Sequence, residues 1–288
     1  MRKVAGVVVG IAVLVAAVTL LKQRPAGEPG TVESASTSPE DRERLQRFWD
    51  TYREATALRI AGRPPEAAAA YRQALALNPD HQDALYYLGS MDFDVGDLAA
   101  AEQAWRRLVA VDPSNARGHS QLGLLYSCVG TPAFVQLDRA AAEFERALAI
   151  NREETGPLLH LGEIALVQGD LEQARSYFDA VVGSNYTSVT AYVYKAYLAW
   201  KAGTPDQAAT LLATAARHAR EAAPAAIPGE GDTRRGRAPM VTASATCRPT
   251  RVGMAGLARS EAEVARGADS LYRALDSLLD AARRTLAR

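Results

Sequence analysis

Four histidines and two cysteines are the residues of this 288-residue chain best suited to chemistry. None of His81, His119, His160 and His218 pairs with another histidine at metal-ligand spacing, but His160 has a carboxylate on its own helix face. Glu163 follows it by three residues and would share its helix face. Such a pair could supply two metal ligands, but no third ligand follows at helical spacing. His119 falls where a packed residue is expected. Cys128 and Cys247 stand 119 residues apart and form no CxxC pair, so neither a zinc site nor a c-type haem attachment is readable. They are expected as a packed thiol and an exposed one. Glu143 and Glu145 belong to polar helix faces. No GxSxG, GxxxxGK[ST], HExxH or strand-following GxGxxG is present. The side chains therefore specify no catalytic site, metal or cofactor, and the expectation is a non-enzymatic protein.

Charge adds a second exclusion. Lys plus Arg and Asp plus Glu both number 33, so the chain is formally neutral. Arg234, Arg235 and Arg237 cluster, but Glu230 and Asp232 lie beside them. No nucleic acid partner is expected from this balance.

The chain begins with an anchor. Residues 4–21 are 18 residues in which only Thr19 is polar, flanked by Arg2, Lys3, Lys22 and Arg24. As a helix this run would be about 27 Å long, close to the hydrocarbon thickness of a bilayer. It is longer than the apolar run of a cleaved signal and ends without a small-x-small site, so residues 1–22 read as an uncleaved transmembrane anchor. Basic residues on the N-terminal side favour the repeats outside. That places the protein in a membrane as a single-pass chain, in a bacterial inner membrane with its bulk in the periplasm. Gly6 and Gly10 form a GxxxG that could pair two such helices into a homodimer. Residues 23–37, rich in Pro, Gly, Ser and Thr, read as a flexible tether.

Beyond the tether the chain is periodic. Residues 81–113 carry Leu85, Leu88 and Gly89, then a Gly96-Asp97 turn, then Ala101, Trp105 and Leu108, and end on Asp112-Pro113. Gly89 and Gly123 are 34 residues apart, as are Pro79 and Pro113, Gly162 and Ala196, and Gly169 and Gly203. Ala67, Tyr71 and Ala74 open the series, and Ala140 and Phe144 continue it. Leu161, Gly162, Ala174 and Phe178 make a fourth unit; Ala196, Ala208 and Leu212 make a fifth. Gly89 should let two helices approach, with Trp105 filling the gap toward the next unit. The third unit is stretched by five residues around 131–138, which bring in Phe134, Val135 and Leu137.

This spacing and grammar resemble the tetratricopeptide repeat family. The resemblance implies an all-α solenoid of about five helix-turn-helix repeats over residues 38–220, and a function in binding protein or peptide. It also implies that the first helix of each repeat lines a concave groove. Carried onto this sequence, the groove residues are Tyr86, Ser90 and Phe93; Arg117, Ser120, Leu124 and Ser127; Leu159, Glu163 and Leu166; and Val193, Tyr197 and Trp200, with Tyr194 at the edge. The Lys and Asn set that clamps a terminal carboxylate in some relatives is lacking. The groove is aromatic and aliphatic.

Residues 221–256 lack periodicity and read as a long, mostly disordered loop. Residues 257–288 read as an amphipathic helix with Leu257, Val264, Leu271 and Leu278 every seven residues and Ala268, Leu275 and Ala282 between them. Its expected place is on the chain's own repeats, with self-pairing as the alternative. The expected function is a membrane-anchored scaffold or adaptor, in envelope assembly or cytochrome c maturation by likeness of layout. The competing readings are a self-associating structural protein and, less favoured, an enzyme or metal protein framed by the solenoid.

Overall fold

A computed structural model describes residues 38–128, 135–222 and 261–287; the side chains of residues 261–267 and 285 are not described. The expected membrane helix at 4–21, the expected tether at 23–37, Phe134, Cys247 and all but the first two residues of the expected 221–256 loop lie outside the described residues. None of the described helices is long and apolar enough to cross a membrane.

Eleven helices and no strand are described. They are α1 (Pro39–Ile60), α2 (Pro64–Leu77), α3 (Gln82–Val95), α4 (Leu98–Val111), α5 (Ala116–Tyr126), α6 (Leu137–Ile150), α7 (Thr155–Gln168), α8 (Leu171–Ser184), α9 (Val189–Lys201), α10 (Pro205–Glu221) and α11 (Glu261–Leu286). The chain divides into two units, residues 1–44 and Leu45–Arg288. Of the first, only Ser38–Arg44 are described. They open α1 with a side-chain cap: the Asp41 amide donates to Ser38 Oγ at 3.0 Å, and that hydroxyl donates to the Asp41 carboxylate at 2.9 Å.

In the second unit the helices pair in chain order into five repeats, α1/α2 through α9/α10. From α3 onward each helix packs on the next, within a repeat and across to the following one. In the first repeat, Tyr52 of α1 meets Tyr71 of α2 edge to face at 5.8 Å. Side chains at the helix entrances accept free backbone N–H groups. Asn115 takes Gly118 at 2.9 Å, Asp97 takes Ala100 at 3.1 Å, and Asp170 takes Gln173 at 2.9 Å. The turns inside the second and fourth repeats end their first helices on Gly96 (φ 87°) and Gly169 (φ 86°), a left-handed backbone that favours glycine.

The packing inside a repeat is tighter than the apolar pattern alone requires. A Cβ placed on Gly89 would lie 2.4 Å from Trp105 Nε1, and one on Gly162 would lie 2.4 Å from Phe178 Cε1. On Gly123 it would lie 2.8 Å from the Phe144 ring. The aromatic of each second helix thus rests on the glycine of its own repeat. Trp105 is fully buried there and donates Nε1–H to Tyr86 O at 3.2 Å. The resulting core is continuous, because Leu137 and Tyr177 pack against both its N-terminal and C-terminal parts.

Two expectations change. Cys128 is buried and disulfide-bonded rather than a packed thiol. The tail helix buries Tyr272, Leu275, Leu279 and Ala282, while Ala268 and Leu271 are only partly buried and Leu278 is half-buried. Leu275 and Ala282 are thus buried as expected, and Tyr272 and Leu279 join them from beside the expected seam.

Adding a methyl group at Gly89 or Gly162 forces a ring out of place. Helix propensity would gain about 1 kcal/mol from Gly→Ala, against an overpacking cost of about 1–3 kcal/mol. We expect Gly89→Ala and Gly162→Ala to lower stability by up to about 2 kcal/mol in urea unfolding. Gly183→Ala, where nothing lies within 4 Å of the added carbon, should raise it. A gain at Gly89 or Gly162 would contradict the ring-on-glycine packing.

Candidate protein-binding surface

The first helices of successive repeats lie side by side and are laced together by polar side chains. Between α3 and α5, Arg117 donates to Asp83 at 2.9 Å and sets its guanidinium over the Tyr86 ring at 4.8 Å. Gln121 reaches the Tyr86 hydroxyl at 3.5 Å. Asp83 holds the Arg117 guanidinium firmly charged, raising its pKa. Between α7 and α9, the Tyr194 hydroxyl donates to Glu163 Oε1 at 2.7 Å, while His160 Nδ1 lies 2.9 Å from Glu163 Oε2. The rings beneath are stacked: Phe144 on His160 at 5.1 Å and Phe178 on Tyr194 at 4.7 Å.

These contacts sort the residues expected to line the groove. Tyr86, Ser90, Ser120, Leu124, Ser127 and Leu159 lie on this face and are partly exposed, and Arg117 is exposed. Glu163 is on the face as well, but both its oxygens are engaged within the fold. Phe93 is 4% exposed and tilted against Trp105 at 5.7 Å, so it belongs to the core and offers no open surface. Leu166, Val193, Tyr194 and Tyr197 are also buried. Trp200 is half-buried.

Tyr194 is buried within the stack itself, on Phe178 and against Glu163, whereas Tyr197 and Trp200 are met by α11. Helix α11 packs on α10 and α7 and reaches α9 through side chains. Tyr272 stacks on Trp200 at 5.3 Å with an interplanar angle of 29°. Asp276 accepts from the Tyr197 hydroxyl and from Lys201 Nζ, the latter at 3.1 Å. Arg283 donates to Leu166 O at 2.7 Å and Val167 O at 2.9 Å, satisfying carbonyls in the last turn of α7. Sequence reasoning placed the tail on the repeats but missed Tyr272, Asp276 and Arg283. The only available signal was an aromatic, an acid and a base on one side of an amphipathic helix.

The remaining polar chemistry is structural. His119 is buried with Nδ1 2.6 Å from Glu143 Oε2 and Nε2 3.1 Å from Pro113 O, tying the third repeat to the end of the second. Tyr126 donates to Glu102 at 2.8 Å, and burial plus that contact push its hydroxyl up to about 12. Among the described residues no group of three His, Cys, Asp or Glu could hold a metal ion.

A family model described as tetratricopeptide repeat matches residues 58–125, and a second with the same description matches 136–186 and 159–227. This chain carries tetratricopeptide repeats. The curated relative cellulose synthase operon protein C of Xanthomonas axonopodis pv. citri (strain 306) is 29% identical over 180 residues. The match covers 58% of this chain but 11% of that protein's length. Among solved structures, a crystal structure of MamA protein overlays with a TM-score of 0.52 at 19% identity, covering 65% of this chain and 99% of that one. PilW, a type IV pilus biogenesis factor, overlays with a TM-score of 0.52 at 17% identity, covering 61% of this chain and 79% of that one. These likenesses show the fold: an all-α tetratricopeptide solenoid, an architecture that serves protein binding.

The tail contact carries a titration. Burial pushes the Tyr272 hydroxyl from 10.0 up to about 12, and burial together with Asp276 raises that of Tyr197. Docking therefore favours neutral phenols. Its contribution is complete below pH 10 and falls as pH rises toward 12. We expect Trp200 emission to report release of α11 across that interval. Among the described residues the Tyr272 hydroxyl has no hydrogen-bond partner. Tyr272→Phe should therefore move release to higher pH and stabilise docking at pH 7 by about 1–2 kcal/mol in thermal unfolding. A less stable Phe variant would show that the hydroxyl is paired.

Proposed function

We propose that this chain is a non-catalytic, membrane-anchored scaffold that holds a protein partner on the open first-helix face of its second to fourth repeats. The observation that carries this reading is the contrast along one face. Along α9 and the last turn of α7 the face meets α11. Tyr86, Leu124 and Leu159, on the preceding stretch of the same face, remain partly exposed. Around them Arg117 and Ser90 supply polar contacts, and Arg117 is preset by Asp83 and Tyr86. A mixed rim of this kind suits a peptide or helix with apolar anchors.

Membrane attachment rests on the 18-residue apolar run at 4–21 and its basic flanks. With it goes placement of the repeats outside a bacterial inner membrane, in envelope assembly or cytochrome c maturation. The curated relative and PilW carry names from cellulose synthesis and pilus biogenesis. Those names support an envelope role for this chain only in a general way. Self-association through the tail is disfavoured, because the apolar stripe of α11 is spent on the chain's own repeats.

Crosslinking in native membranes with subsequent recovery of the tagged chain tests both parts. We expect Tyr86→Ala with Leu159→Ala to reduce recovered partners by about tenfold or more, as loss of central anchors does. An unchanged partner set would contradict the assignment of this face. The chain should resist alkaline carbonate extraction, and removal of residues 1–22 should release it. Extraction of the intact chain would contradict the anchor.

A further inference from the structure

Helix α11 shows what the groove of the last two repeats is built to receive. Its seat is made of α7, α9 and α10, and its contacts are those of a helical ligand in a groove. The apolar anchors Tyr272, Leu275, Leu279 and Ala282 are spaced three, four and three residues apart, which puts them on one stripe. Two polar clamps set the register. At one, the Tyr197 hydroxyl and Lys201 take hold of Asp276. At the other, the end of α7 offers the Leu166 and Val167 carbonyls to Arg283. The repeat face supplies the specificity: an acid one turn after an aromatic, and an arginine seven residues beyond the acid.

The fit is incomplete in a way that a permanent core element would not need. Tyr272 is 2% exposed and its hydroxyl meets no partner among the described residues, so its burial is not matched by a hydrogen bond from the seat. At the start of the stripe Ala268 is only partly buried, so the seat is not filled along its whole length. An outside helix with the same pattern and a better match at Tyr272 would bind the same seat more tightly.

We propose that the face formed by the last turn of α7 with α9 and α10 is a receptor for an amphipathic helix of a partner protein, and that α11 is its resident competitor. The partner helix presents an aromatic or leucine anchor at the position of Tyr272, a carboxylate for Tyr197 and Lys201, and an arginine for the end of α7. The proposal rests on the protein-binding reading and adds to it a second, conditional site. Because α11 is tethered to its seat, its effective concentration is of millimolar order. A free helix must exceed that advantage, so the site stays shut against weak competitors.

The test uses the full chain and a fluorescein-labelled peptide of residues 261–287. In one version Leu275→Asp and Leu279→Asp release α11; in a second, milder version Asp276→Ala and Arg283→Ala remove only the clamps. Circular dichroism confirms that the repeats remain helical and unfold cooperatively. The released chain should bind the peptide at least about tenfold more tightly than the wild type. Adding Trp200→Ala should reverse that gain. No binding by the released chain, equal binding by wild type, or indifference to Trp200→Ala would each overturn the proposal. So would failure of both versions to fold, since α11 would then be a fixed part of the core. A wild-type dimer in sedimentation that Leu275→Asp abolishes would name a second copy as the occupant and overturn it as well. None of these results bears on partner capture by Tyr86 and Leu159, so failure here is separable from failure of the scaffold reading.

Discussion

A flat aromatic ring laid on a bare glycine backbone holds each of the three middle repeats together. Trp105 on Gly89, Phe144 on Gly123 and Phe178 on Gly162 leave no room for a single added carbon. Dispersion is strongest when such surfaces touch without a gap, and a void or a bump forfeits it. Each contact fixes how one helix crosses its partner, and the next repeat inherits that setting. The side-by-side first helices, and the face they share, depend on it. Tyr86 links the two levels: its carbonyl receives Trp105, and its ring carries Arg117 of the following repeat.

A stack of this kind has ends, and its last helices would leave apolar side chains in water. Here α11 closes the C-terminal end by crossing back over α9 and α7 instead of continuing the stack. That choice divides one chemical surface in two. The second to fourth repeats keep a partly open face around Tyr86, Leu124 and Leu159. The fifth repeat keeps its Tyr197 beneath the chain's own helix. A scaffold with one open and one covered stretch can hold a partner and still reserve a contact.

Much of this was legible in the residues, and the failures have physical causes. Glycine at a 34-residue interval announces close helix pairing because few other residues tolerate it, so the repeats and their count could be read directly. The partner of that glycine could not. Spacing places Trp105 on the inner side of α4 but does not say which of two neighbours its ring will cover. Phe93 sits at a register that usually faces outward, yet it turns against Trp105. The partners of Tyr197 and of the last turn of α7 lie on a helix about 80 to 117 residues further along, as the Tyr197–Asp276 and Arg283–Leu166 contacts show. Nothing local encodes such a meeting. The stripe of α11 was legible in part: Leu275 and Ala282 are buried as expected, but Tyr272 and Leu279 stand beside the seven-residue seam. Crossing the grooved face of several helices selects Tyr272, Leu275, Leu279 and Ala282.

The division of the face into an open and a covered stretch depends on whether α11 occupies the last repeats in the free protein. Hydrogen exchange of the intact chain measures that without a partner or a substitution. Seated α11 predicts that the amides of residues 268–283 exchange at least about a hundredfold more slowly than in the isolated 261–287 peptide, together with those of α9. Exchange at the rate of the free peptide would show an empty groove and contradict a seated tail.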